Sequence, residues 1–581
     1  MTAPQKLRLH LAAWALYLAL AAALTWPLAI RPRDYVVGEY MDAVTAFYDL
    51  WWFHQAVCVL HASPWQSPLI DYPDGYSMIL YPMWVPYELP TLPIISALGV
   101  DGIPIAFNLV TLLSFAASGW AGFLLARYLT RDTGAALAAG VILEALPFRL
   151  WNINRWHVTC LELLALLLYF FLRVVREGKS RVIVGLAVTA SVLAYLSPNY
   201  TADMALALAL LLPILLIAPG RDRDRLRQRR TWVALASAAG LAILICLPLI
   251  HRLAMEVAKQ PIPLAQSDVT RVPFSANLLA FVTPGFNLRA LGWLAFLLPY
   301  PDQALARAHG IGGYELFAGY TALALAAAGI VWRRREAAPF VALALIFLVL
   351  SLGPRLHLGA HTFGFAAPYE WASGLLPWLR LDRSPARHAA VSLVCMAALA
   401  GYGLAELRRR LPRHAALLAF FAAAAIVLEF NQAPLPLARI PIPAFVETIR
   451  TDPVFGSVLD LPYLPDIKRF AGINQIHHGK PLAFQLTSRI DDPRYQSGAL
   501  FRYLDHPRLW LRLQGKERQA ALAQLRAEMK RRRLRYLVAY PRFMEPTDLA
   551  GLESVLSELG PRETIVKDDR YQVYRLTAFT H

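Results

Sequence analysis

The sequence predicts an α-helical polytopic membrane protein of about eleven transmembrane helices, closed by a C-terminal extracytoplasmic α/β domain. Three observations predict it. The 581-residue chain is 57% hydrophobic and only 17% charged, with mean hydropathy +0.42. Apolar runs of membrane-crossing length recur from the N-terminus to about residue 430. Arginine clusters fall in alternate connectors between those runs. Soluble domains are about half apolar and about a quarter charged, so an ordinary cytosolic enzyme is excluded, as are disordered and fibrous classes.

Composition narrows the class further. The 41 prolines break any uninterrupted helical array and imply structured turns. Four cysteines do not make a disulfide scaffold. The net charge of +17 reads first as membrane topology and only second as affinity for an acidic ligand; no nucleic acid partner is expected. The chain has no internal repeat, P-loop, Gly-rich dinucleotide turn or paired Cys/His metal spacing, and so lacks the motif of an ATP-driven pump.

The first apolar run, near Leu9–Ile30, follows Lys6-Leu7-Arg8. It exceeds the ~7–15 residue core of a signal peptide and reads as an uncleaved first span, with a cleaved signal as the alternative. Further spans are expected near 103–125, 134–146, 158–172, 182–196, 202–218, 232–250, 316–332, 338–352, 388–404 and 415–428. With these spans, the connectors at Arg173–Arg181, Arg221–Arg230, Arg333–Arg335 and Arg408–Arg410 all share the side of the N-terminus. That is the positive-inside pattern, reached without being used to choose the spans. The N-terminus is then cytoplasmic, and residues 1–430 form the transmembrane domain with large outer loops 31–102, 251–313 and 353–387.

Residues 431–581 follow the last span and lie outside. Segments 456–462, 534–540 and 571–576 read as strands, and 507–532 and 547–559 as helices. Lys530-Arg531-Arg532-Arg533 reads as a solvated helix end. His477-His478-Gly479-Lys480 reads as a turn.

The first outer loop carries the chemistry. From Asp42 to His54 it suits an aromatic-rich amphipathic helix lying at the membrane surface. Glu39 and Asp42, three residues apart, can converge at its start. Asp49 lies about 10 Å farther along the axis at 1.5 Å per residue, too far to share a metal with Asp42. A carboxylate at the water–lipid boundary suits a general base, with or without a divalent cation. The structural alternative is that Asp42 caps the helix and Glu39 favours its dipole. Farther on, Pro73-Asp74-Gly75 is turn chemistry.

Arginines also stand where the charge rule disfavours them. Arg149 and Arg155 lie in a short outer connector that ends at His157, and Arg380, Arg383 and Arg387 at the outer entrance of the tenth span. Arg383 and Arg387, four apart with Pro385 between them, would project from one helix face and cradle phosphate oxygens. Headgroup contact or pairing with Asp382 is the alternative. Glu144 and Glu162 are ionisable residues within spans; each can instead join Arg149 or Arg155 in a structural cluster.

The segment Gly38–Trp52, with Tyr72-Pro-Asp-Gly-Tyr76, Ala106-Phe-Asn108, Pro147-Phe-Arg149 through His157, and Arg383-Ser-Pro-Ala-Arg387, resembles the GT-C superfamily of integral membrane glycosyltransferases. Its members include protein O-mannosyltransferases and the aminoarabinose transferases of lipid A, and the likeness of layout covers nearly the whole chain. The resemblance implies a sugar transferred from a polyprenyl-phosphate donor to a glycan, lipid or protein acceptor of the cell envelope, at the outer face of a bacterial inner membrane. It implies that Asp42 or Glu39 is the catalytic acid. Glu39 stands where those proteins have Asp, which leaves open which acid acts and whether Mg or Mn assists. Arg149, Arg155, His157, Arg383 and Arg387 would hold the donor phosphate. The alternative is a non-enzymatic transporter, flippase or assembly factor for lipid-linked glycans; the lack of repeated halves lowers it.

Overall fold

A computed structural model describes residues 2–38, 40–80, 83–217, 220–259, 271–296, 315–359, 361–486 and 498–577. Glu39, Tyr81 and Pro82, together with much of the expected loop 251–313, lie outside the described residues.

Among the described residues, eight helices are long and apolar enough to cross a membrane, from Pro4–Leu24 to Pro412–Phe430, and two shorter apolar helices are Ser180–Leu196 and Tyr320–Trp332. Every expected span falls on a helix, but 182–196 and 316–332 fall on these short ones. The span near 338–352 lies in the Arg334–Ser351 helix, whose first turn is charged. The Ala389–Arg410 helix is the central post, buried nearly throughout. It touches the Tyr320–Trp332 helix backbone to backbone: a Cβ on Gly403 would sit 1.8 Å from the Leu325 carbonyl oxygen, and one on Gly329 2.3 Å from that of Leu399. Small residues permit this approach, which apolar lipid does not itself drive. Leu244, Phe420 and Phe421 stay exposed on peripheral helices, as lipid-facing residues do.

The arginine-rich connectors gather at one end. Arg176 pairs with Asp222 at 2.7 Å and lies over the Tyr128 ring. Arg333 approaches Glu406 at 3.8 Å, and Arg408 meets Asp132 at 2.9 Å. Opposite charges joined across connectors hold this face together.

The first loop and the tail meet at the other end. In the tail, Ser457–Leu461, Leu534–Ala539, Gln572–Leu576 and Arg562–Lys567 form a four-stranded sheet in that spatial order; the first pair is parallel and the others antiparallel. The strands at 457–461, 534–539 and 572–576 match expectation. Arg562–Lys567, largely exposed at the sheet edge, carries a weaker apolar pattern and was not expected.

The tail is sewn to the first loop. Val36–Val37 pairs with Leu437–Ala438. Residues 69–72 bond along 482–484, which in turn bond to Val458 of the sheet. The Pro465–His478 helix packs on the Tyr40–His54 helix, with Gly472 against Tyr48. The Lys530–Arg533 run is a solvated helix end at Lys530, Arg531 and Arg533, which are exposed, but not at Arg532. Arg532 is buried and donates to Asp71 at 3.0 Å and to the Ala483 carbonyl at 2.8 Å, and Arg531 pairs with Asp74. The Pro73-Asp74-Gly75 turn is present, closed by the Asp74 and Gly75 amides on the Asp71 carbonyl.

Candidate functional site

The helix carrying Asp42 starts at Tyr40, so Asp42 lies inside its first turn and is not its cap. A carboxylate there still favours the helix dipole. The helix is not a surface helix either. Ala43, Val44, Phe47, Leu50, Trp51 and Trp52 are all buried, because the tail helix covers the face that a membrane surface would otherwise take. Asp49, two turns on, is fully buried, and burial reinforced by nearby Glu88 holds its carboxyl well above the usual carboxylate range. It takes no part in the cluster at Asp42.

Two asparagines fix the entry to this helix. Asn108 donates to the carbonyls of Pro32 and Tyr35, both at 2.8 Å, and Asn154 to that of Val37 at 2.8 Å. An aromatic chain fixes the facing connector: Phe47 meets Phe107 edge-on, Phe107 stacks on Trp156, Trp156 lies against Trp84, and Trp84 stacks on His157. Arg155 stands on this locked segment. Its Nη2 reaches Asp42 Oδ2 at 2.6 Å, and its Nη1 donates to Asn152 at 3.0 Å. From the tail, Arg469 places its Nη2 3.8 Å from Asp42 Oδ1.

The structure thus brings Asp42 and Arg155 together, with His157 two residues behind. Arg149 does not join them. It is fully buried, and its guanidinium is used inside the helix bundle: Nε donates to the Thr159 carbonyl, Nη1 to that of Phe115 and Nη2 to Ser114, with Glu162 at 4.0 Å. Glu162 also accepts from Tyr87, Ser114 and Ser118. The structural-cluster alternative holds for this pair. Glu144 is buried nearby, with neither carboxylate oxygen hydrogen-bonded.

Arg383 and Arg387 gather elsewhere. Arg383 precedes the short 3-10 turn Pro385–His388, so the two do not share a helix face. Arg383 lies over the Phe274 ring at 4.9 Å. His388 sits between Asp203, at 2.8 Å, and Asp382, at 3.2 Å. Burial alone would raise the Asp382 carboxyl; the hydrogen bond and charge of His388, with Arg387, hold it below the usual range.

The residue that sequence reasoning missed is Arg469. Its helix, Pro465–His478, mixes Asp466, Lys468 and Arg469 with apolar residues and has no clean period. The signal was the ending: Gly479 takes a left-handed cap at φ 68° after the two histidines, so the expected turn is real but closes a helix.

Two guanidinium groups flank Asp42, and among the described residues, which do not include Glu39, no group of three or more His, Cys, Asp or Glu that could hold a metal occurs.

No protein-family model and no curated protein matches the chain. Solved structures do. The oligosaccharyltransferase of Archaeoglobus fulgidus in its apo form aligns with TM-score 0.53 and 12% identity, over 92% of this chain and 70% of its own. The same archaeal protein, AglB, in complex with an inhibitory peptide and a dolichol-phosphate gives 0.52 and 12%, over 95% and 71%. Its complex with Zn and sulfate gives 0.51 and 12%, over 91% and 68%. The fold is therefore that of these archaeal oligosaccharyltransferase structures, in keeping with the layout that the GT-C resemblance implies.

Proposed function

We propose that this protein is a GT-C glycosyltransferase that moves a sugar from a polyprenyl-phosphate donor to a cell-envelope acceptor at the outer face of a bacterial inner membrane, with inversion. The observation that carries the reading is the cluster of Asp42, Arg155 and Arg469, about a third exposed each, on a fold whose neighbour AglB was solved with a dolichol-phosphate. The acceptor hydroxyl gives its proton to Asp42 while its oxygen attacks the anomeric carbon. The bond from that carbon to the phosphate oxygen breaks, and polyprenyl phosphate leaves. Arg155, with His157 behind it, meets the charge that develops on the leaving phosphate, the kind of electrostatic contribution that dominates many such reactions. Arg383 and Arg387 would contact donor phosphate only from their separate cluster, and Arg149 would act through the packing of the connector. Glu39 remains a second candidate acid.

We assign residues 1–430 to the transmembrane domain and 431–581 to an outer domain. The packing of the first loop on the tail requires an even number of crossings between them. Seven of the eight long apolar helices lie in that interval; the two short ones make nine, and Arg334–Ser351 makes ten. This parity supports eleven spans in all, with the N-terminus cytoplasmic.

The test is sugar transfer by purified protein from radiolabelled polyprenyl-phosphate sugars, with and without EDTA. Asp42→Asn should lower transfer by about 10²–10⁴-fold and leave the melting temperature unchanged. Full activity in Asp42→Asn and in Glu39→Gln sinks the assignment. Since AglB was solved with Zn, loss of activity in EDTA, restored by Mg or Mn, would assign a metal that the residues at Asp42 do not themselves suggest. Carrier movement between leaflets without sugar transfer would favour the transporter alternative.

A further inference from the structure

The proposal here rests on the transferase reading and deepens it at the same site. Asp42 is held by two guanidinium groups from distant parts of the chain. Arg155 comes from the connector between spans, at 2.6 Å, and Arg469 from the tail helix, at 3.8 Å. The side chains of Asp42, Arg155 and Arg469 are 35%, 32% and 37% exposed, so the cluster is open to an incoming group. Arg155 also donates to the neutral Asn152 side-chain amide oxygen. Among the described residues Arg469 also pairs with Asp466 at 3.3 Å, an exposed i,i+3 contact of the kind that contributes little. Two cations thus converge on one carboxylate where solvent reaches all three.

Such a pair of forks matches the oxygens of a phosphate better than it matches a single carboxylate. In the state described, Asp42 Oδ2 accepts from Arg155, which occupies the atom that would take the acceptor's proton. We propose that Arg155 and Arg469 together grip the phosphate of the lipid-linked donor, and that Asp42 is the resting counter-ion which this phosphate displaces. Donor arrival turns both guanidinium groups onto the phosphate and frees the carboxylate. Ion pairs are exchanged in this step and no covalent bond changes. Arg469 then supplies a donor contact from the tail, so the tail is part of the donor site as well as its cover.

The test measures binding alone, using undecaprenyl phosphate without a sugar and, in a parallel arm, inorganic phosphate. The full-length protein is compared with Arg469→Ala, Arg469→Gln, Asp42→Asn and Arg450→Ala, the last an exposed tail arginine paired with Glu447 outside this site. Arg469→Ala and Arg469→Gln should weaken carrier binding by ~10-fold or more, as losing a charged hydrogen bond does. Asp42→Asn should tighten it several-fold by removing the competing carboxylate, and Arg450→Ala should leave it unchanged. Inorganic phosphate should follow the same order of variants at far higher concentrations; equal affinity for free and lipid-borne phosphate overturns the lipid assignment. Carrier binding unchanged in both Arg469 variants, or not tightened in Asp42→Asn, overturns the proposal even if Asp42→Asn abolishes transfer. The expected binding pattern in a protein that transfers no sugar would sustain this proposal and remove the transferase reading.

Discussion

Arg532 of the tail donates to Asp71 of the first outer loop across 3.0 Å, with the two side chains 9% and 5% exposed. The pair joins segments more than four hundred residues apart in sequence. Arg532→Met leaves the Asp71 charge buried without this partner. We expect a loss of about 3–5 kcal/mol, seen as a lower melting temperature in detergent and faster proteolysis of the tail. Adding Asp71→Asn should recover part of that loss, because the unpaired charge is then gone.

Arg149 should behave as a structural residue. Arg149→Gln removes the cation facing Glu162 and leaves the carbonyls of Thr159 and Phe115 short of a donor. Folding yield and melting temperature should fall, by about 3–5 kcal/mol in stability. The donor KM of whatever protein folds should change little. A selective rise in donor KM at normal stability would return Arg149 to the phosphate site.

Gly472 lies where the tail helix packs on the helix of Asp42. A Cβ there would meet Tyr48 at 3.4 Å and Leu486 at 3.5 Å, ordinary contact distances. Gly472→Ala should therefore be neutral, or stabilising by up to about 1 kcal/mol as expected within a helix. Gly472→Phe should wedge the two helices apart at a cost of about 1–3 kcal/mol, with transfer falling further than stability. Paired activity and melting measurements separate these outcomes.

Asp460, buried in the tail sheet, accepts from Tyr540 at 3.1 Å, and burial pushes its carboxyl up to about 7. Its folded value lies above the unfolded one, so the stabilisation it gives is complete below about pH 4 and is lost as pH rises through about 7. Stability should decline across that window by on the order of 4 kcal/mol at most, seen as a falling melting temperature. Asp460→Asn should flatten the decline.

The sequence made the spans legible because a bilayer imposes a length and an apolar composition on each helix separately. The tail strands at 457–461 and 534–539 were legible as short, mostly apolar runs, each with one charged residue. Asp42 stood out as an acid in an aromatic loop, and Arg155 as an arginine on the disfavoured side. Their pairing was not legible, because it depends on how Phe107, Trp156 and Trp84 stack across three segments. Arg469 and Arg532 were hidden more deeply. Each reads locally as one more charge on a polar helix, and its partner lies more than four hundred residues away. The Asp42 helix misled for a related reason: a hydrophobic face bound for a protein partner has the same pattern as one bound for a membrane surface.

The sheet extended through residues 482–484 to 69–72 also dictates an order of events during biosynthesis. The early segment leaves the ribosome long before the strands that will bond to it, and the Asp42 cluster gains its third member only once residue 469 has been made. A chain interrupted between residues 155 and 469 carries the acid and Arg155 but not the completed cluster. Assembly of the site therefore reports that the chain has been made at least through residue 469, so shorter products fall short of the finished arrangement.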